Sequence, residues 1–279
     1  MRLRSIAVLT VLLLAISPTA NSYTALTIDQ IPGVFKELTA NRALANPAVV
    51  LIDIKSRQVV FSRDGNGLRR PASTLKVLSA MSALDYLEPT TTFSTSIYKT
   101  DLRNTFQIVG EFDPSITPDY QLAKSENFIW SNFLVNKIRA NSKSRNITIR
   151  YYGITSRTQI NMSNTFRRLG YRVAWRPVNQ ANSTTHLAAE ITSVNSPDLA
   201  TILKHTLLWS ENYYAEYLAR IAAMKAGYTY DGSGINKVFH DVLNKAEIPN
   251  PELSVKDGSG LSGQNKISAL TLAQTLVKI

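Results

Sequence analysis

The chain has 279 residues, no cysteine, three histidines and a formal net charge of +11. A disulfide framework, a thiolate metal site and a cysteine nucleophile are therefore excluded, and stability must come from packing. His186, His205 and His240 lie far apart without metal-ligand spacing, so no metal site is expected.

At the N-terminus, Arg2 and Arg4 precede an apolar run over residues 6–16, interrupted only by Thr10, followed by Pro18. That run is too short to span a bilayer, and Ala20 and Ser22 stand at the small-residue positions of a cleavage site before Tyr23. This reads as a signal peptide over residues 1–22. It predicts an exported protein, periplasmic or extracellular and associated with the cell envelope, touching a membrane only through this segment if it is left uncleaved. The positive charge favours polyanions, and the envelope is the polyanion available there. The basic stretch 137–150 lacks interleaved aromatics and reads as a solvated face, so no nucleic-acid partner is expected.

Residues 28–45 have helical spacing. Two β-branched runs, 48–54 and 58–62, follow and read as a hairpin. A loop, Asp64-Gly-Asn-Gly67, leads to Pro71, and residues 72–87 form a helical, largely apolar pattern stopped by Pro89. Apolar character on nearly every face predicts a helix buried in the middle of its domain. From about residue 90 to 191 the texture changes to short alternating segments, 92–98, 146–152 and 171–175, with one helical stretch at 128–140. This predicts an inserted α+β region. Helical periodicity returns at Ser196-Pro197-Asp198 and runs to Gly227, interrupted at 209–212. A further helix is expected after Ser233, with Ser233 as its cap. A strand-like 253–256, a glycine turn at 257–260 and an apolar helical pattern from Ser268 to Ile279 complete the chain.

The chemistry concentrates in Pro71-Ala-Ser-Thr-Leu-Lys76, where Ser73 starts the buried helix and Lys76 follows three residues on, on the same face. A serine hydroxyl becomes a nucleophile when a neighbouring base takes its proton, and a lysine whose pKa is depressed can be that base. The first N–H groups of the helix point toward negative charge developing on a substrate carbonyl. Ser96-Ile-Tyr-Lys99 has the same spacing but lies in an alternating, strand-like run, where residues three apart face opposite ways.

Pro-Ala-Ser-Thr-x-Lys after a hairpin and before an apolar helix resembles the active-site motif of penicillin-binding proteins and serine β-lactamases. Trp209-Ser-Glu-Asn212, with Ala215-Glu216 after it, looks like the second motif of that superfamily, Ser-x-Asn followed by Ala-Glu. Asp257-Gly-Ser-Gly-Leu-Ser262 is similar to an element of the D-alanyl-D-alanine carboxypeptidase/endopeptidase family, the class C low-molecular-mass penicillin-binding proteins. An earlier Asp-Gly-Ser-Gly, at 231–234, reads as a loop. Ser-x-Asn also occurs at Ser125, Ser144 and Ser193, but only the copy at Ser210 breaks a pair of helices. The alternative for Ser210 and Asn212 is simple capping of the helix that follows.

The resemblance covers about residues 45–90 and 187–279. It implies an α/β, or α+β, fold of the β-lactamase/transpeptidase type, an antiparallel sheet flanked by helices. The peptidase domain would be split into 23–90 and 191–279, with 91–190 inserted. It further implies an acyl-enzyme on Ser73 formed without a cofactor, with Lys76 as base, Ser210 as proton relay toward the leaving amine, and Asn212 orienting the substrate amide. Peptidoglycan stem peptides would be the substrates and β-lactams the inhibitors. The family's Lys-Thr-Gly or His-Thr-Gly strand has no counterpart after Asn212, so the chain is expected to be C-terminally truncated, with strands missing. Two other readings stay open: a non-catalytic, envelope-binding remnant of the fold, and a β-lactamase-like hydrolase.

Overall fold

The structure, a computed structural model, describes residues 27–279, so the expected signal peptide lies outside the described residues. The chain divides into two compact units, one ending at Ala45 and the other comprising 46–279. In the first, α1 (Ile31–Thr39) begins with proline in its first turn, where the missing N–H costs nothing, and a 3-10 turn over Arg42–Leu44 follows.

The second unit opens with the expected hairpin, β1 (Val49–Ile52) antiparallel to β2 (Val59–Arg63). A two-residue strand β3 (Leu68–Arg69) leads to a 3-10 turn, Ala72–Leu75, which runs directly into α2 (Lys76–Tyr86). Then come β4 (Ser94–Thr100), β5 (Thr105–Gly110), α3 (Tyr120–Ser125), α4 (Ser131–Asn141), β6 (Asn146–Tyr152), α5 (Ser156–Arg168), β7 (Arg172–Pro177) and β8 (Leu187–Asn195). The helices α6 (Leu199–Leu208), α7 (Asn212–Lys225) and α8 (Gly232–Lys245), the short β9 (Ile267–Ser268) and α9 (Ala269–Lys278) complete it.

The largest sheet is mixed, in the order β7-β6-β5-β4-β8. β4 is antiparallel to both of its neighbours, whereas β5, β6 and β7 run parallel. Among the strands of the described residues, antiparallel pairing is confined to β4 and the two-stranded sheets β1-β2 and β3-β9. Parallel strands need a crossover, and α5 supplies the one between β6 and β7. Periodicity did not reveal α5 because its sequence is mostly polar and only Thr158, Met162, Thr165 and Phe166 are buried.

Three apolar clusters hold the unit together. One lies between the sheet and α4 and α5, with Ile97, Ile108, Ile149, Leu134, Ile138 and Phe166 fully enclosed. The other two flank α2 on opposite sides. Leu75 and Leu78 pack with α7 and α8, while Ala80 and Ala83 pack with α6 and α7. Burial on both sides explains why α2 is apolar nearly all round, and each enclosed leucine contributes roughly 1.5–3 kcal/mol relative to exposure.

Caps follow local chemistry. Asp198 accepts from Thr201 N at 2.8 Å and starts α6 where the sequence signalled it. The cap of α8 corrects an expectation. Asp231, not Ser233, holds it, accepting from the N–H groups of Ser233 and Gly234 at 2.9 and 3.0 Å, because its carboxylate reaches two free donors that lie ahead of it in the chain. The strand-like 253–256 contributes only a single bridge, Ser254 to Lys266.

Candidate active site

Ser73 sits in the 3-10 turn with its side chain exposed, while Lys76, at the start of α2, is only 2% exposed. The Lys76 Nζ donates to Ser73 Oγ at 2.8 Å and to the carbonyl of Ser259 at 3.1 Å. Burial pushes the Lys76 pKa below that of an ordinary lysine, and the nearby Asp257 and Glu211 carboxylates oppose the shift without cancelling it. The result is a wet hydroxyl against a dry amine. The duplicate pattern behaves differently: Ser96 is buried on β4 and bonds Ser193 Oγ at 2.8 Å, while Lys99 is exposed.

The turn at 257–262 closes over this pair. Asp257 organises it, accepting through Oδ1 from the N–H of Ser259 (2.8 Å) and of Gly260 (2.6 Å), and through Oδ2 from Ser262 N (2.7 Å) and Asn265 Nδ2 (3.2 Å). Burial alone would raise the pKa of Asp257, but these hydrogen bonds outweigh it and leave the carboxyl below its usual value. Glycine is required at two positions. A Cβ on Gly258 would stand 2.6 Å from Ala219 Cβ, and one on Gly260, whose φ is +88°, would stand 1.8 Å from the carbonyl oxygen of Ala72. The turn is thus pressed against both α7 and the residue preceding Ser73.

Glu216 on α7 locks the turn from the other side. Its Oε2 accepts from Gly258 N at 2.6 Å, while its Oε1 accepts from Arg220 Nε at 2.8 Å. Ser79 Oγ on α2 donates to the Gly258 carbonyl. One residue, Gly258, therefore ties α2, α7 and the turn together through its N–H and its carbonyl, and the next carbonyl holds Lys76. Sequence reasoning missed the roles of both the Ser259 carbonyl and Glu216. Ala-Glu after the second motif and the glycines of the turn were the available signals.

Ser210 and Asn212 lie at the junction of α6 and α7. Ser210 is exposed with φ +55°, and Asn212 is the first residue of α7. Capping does not account for them, because the cap position is Glu211 and no side chain closes it. Among the described residues neither is hydrogen-bonded to Ser73 or Lys76. Glu211 between them is near enough for its charge to act on Lys76. A left-handed backbone at a non-glycine residue is strain of the kind that collects at functional turns.

A search of curated protein sequences gave no significant match. The family profile described as D-Ala-D-Ala carboxypeptidase 3 (S13) matches residues 34–126 and 138–279. Among solved structures, penicillin binding protein 4 (dacB) from Haemophilus influenzae superposes with a TM-score of 0.63 at 14% identity, over 83% of this chain and 74% of that one. The same protein complexed with a novel β-lactam gives 0.62 at 15%, over 88% and 76%. The predatory endopeptidase Bd3459 from Bdellovibrio bacteriovorus, in complex with its immunity protein, gives 0.56 at 17%, over 83% and 68%. At these identities the superpositions carry the fold, that of the penicillin-recognising enzymes, and the profile carries the family. The chain belongs to the D-Ala-D-Ala carboxypeptidase 3 (S13) family and is a serine-type D-Ala-D-Ala carboxypeptidase.

Proposed function

We propose that Ser73 is the acylated nucleophile, Lys76 its general base, Ser210 the proton relay to the leaving amine, and Asn212 the donor that orients the substrate amide. The observation that carries this reading is the 2.8 Å contact between an exposed Ser73 Oγ and a buried Lys76 Nζ. With Lys76 neutral, its lone pair accepts the Ser73 proton while one N–H stays on the Ser259 carbonyl. Oγ then adds to the penultimate D-alanyl carbonyl of the stem peptide. The C–N bond breaks, the terminal D-alanine amine leaves with a proton passed through Ser210, and water later hydrolyses the ester. β-Lactams acylate the same oxygen, and the scaffold shared with an endopeptidase supports cleavage of peptide crosslinks as a second activity. We read the chain as exported to the envelope on the signal-like residues 1–22. We also read residues 91–190 as an insertion between peptidase segments 23–90 and 191–279, a division supported by the separate core of the five-stranded sheet.

The test is labelling with a fluorescent penicillin. Ser73→Ala should abolish it, and Ser96→Ala should leave it unchanged. Labelling that survives Ser73→Ala would overturn the nucleophile. An unmutated chain that binds muropeptides without ever being labelled would favour the non-catalytic reading.

A further inference from the structure

The strand directions bring the starts of β5, β6, β7 and β8 and the end of β4 to one end of the large sheet: Thr105 is paired with Thr148, Asn146 with Arg172, and Thr100 with Leu187. The C-termini of α4 and α5 reach the same end, since each feeds directly into β6 or β7. Arg103 lies in the β4–β5 loop, Lys143 and Arg145 in the α4–β6 loop, and Arg172 on the edge strand. Arg139 occupies the last turn of α4, and Arg167 and Arg168 that of α5. All seven are exposed, and among the described residues none forms an ion pair. Across these segments the sole acid is Asp101, which is already paired with His186 Nδ1 at 3.0 Å. Complementing the helix dipoles would explain Arg139, Arg167 and Arg168. It does not explain the four cations outside the helices, which gather here only through the topology.

The opposite end of the sheet faces the catalytic elements. There Thr155 Oγ1 meets Tyr213 OH at 2.7 Å, next to Asn212, and the Phe112 ring lies 4.3 Å from that of Tyr230. The cationic end is therefore turned away from Ser73. Six of its seven charges are arginines, whose planar forks match phosphate oxygens two at a time. Large aromatic side chains that could enter a bilayer are scarce here. Tyr171 is half-buried with Arg145 over its ring at 6.0 Å.

We propose that this end of the sheet, which includes part of the basic stretch 137–150 read from sequence as a solvated face, is a binding surface for a linear, base-free polymer whose charges are phosphate groups, anchoring the protein with its catalytic end free. The site stands apart from the roles given to Ser73 and Lys76, so the two can fail separately. Binding of inorganic polyphosphate to the full chain is measured by titration calorimetry at several salt concentrations, beside polyglutamate and vesicles of phosphatidylglycerol and phosphatidylcholine. Polyphosphate should bind tightest, with affinity falling about tenfold or more between 50 and 200 mM salt, as counterion release requires. Arg145→Glu combined with Arg168→Glu and Arg172→Glu should weaken it by about tenfold or more while penicillin labelling is unchanged. The pair Arg103→Gln and Lys143→Gln, from other segments, should weaken it several-fold and serves if the triple variant does not fold. Undetectable polyphosphate binding, equal binding by the variants, or equal or tighter binding to polyglutamate or vesicles would overturn the proposal.

Discussion

A lysine that is 2% exposed and within 2.8 Å of a serine hydroxyl has one property to spare, its proton. Because burial lowers its pKa, the neutral, basic form gains population as pH rises toward the depressed value, at a lower pH than for a free lysine. Acylation of Ser73 by penicillin should therefore increase with pH through that range and then level off. Lys76→Arg keeps the charge but cannot lose it near neutral pH, so its rate should be lower by about a hundredfold or more, as expected for loss of a general base. A near-normal rate for Lys76→Arg in stopped-flow acylation would reduce Lys76 to an electrostatic role.

Among the elements, the 257–262 turn decides whether that lysine is held. Gly260 is a sensitive point because its left-handed backbone and its approach to the Ala72 carbonyl both exclude a side chain. Gly227, at φ +84° with nothing within 4 Å of the place a Cβ would take, shares the first constraint without the second. Gly227→Ala should cost about 1 kcal/mol of stability and leave acylation intact. Gly260→Ala should lower the melting temperature further and slow acylation by at least about tenfold, since the residue before Ser73 must move. If the two variants melt at the same temperature and are labelled at the same rate, the turn is not what positions Ser73.

Across the whole 46–279 unit, the sheet and the catalytic helices meet where α5 begins. Tyr213 OH bonds Thr155 Oγ1, Tyr217 OH bonds Ser156 Oγ at 2.9 Å, and the Arg157 guanidinium lies over the Tyr213 ring at 4.4 Å. Burial pushes the Tyr213 phenol well above its usual pKa, so it remains a neutral partner at physiological pH. Tyr213→Phe should destabilise by about 1 kcal/mol and Thr155→Val by more, since Thr155 Oγ1 also caps α5 by accepting from Thr158 N at 3.1 Å; the double variant should cost clearly less than their sum, because both break the Tyr213–Thr155 bond. Strict additivity in denaturant melts would mean that the seam transmits nothing.

Local structure was readable from the chain alone: the hairpin before Ser73, the helix carrying Ser73 and Lys76, the break at Ser210, the α6 start at Asp198 and the strand at 146–152 all depend on near neighbours and on period. The family followed from three short motifs whose spacing survives in sequence. Other features depended on residues far apart. A polar helix such as α5 hides its four inward residues, and parallel pairing of β5, β6 and β7 leaves no mark on any one strand. The Lys76–Ser259 and Glu216–Gly258 bonds span 183 and 42 residues. Spacing could put Ser73 beside Lys76 because one helical turn fixes their separation; only the folded chain could bring the 257–262 turn to them, because that contact depends on how α2, α7 and the turn pack together.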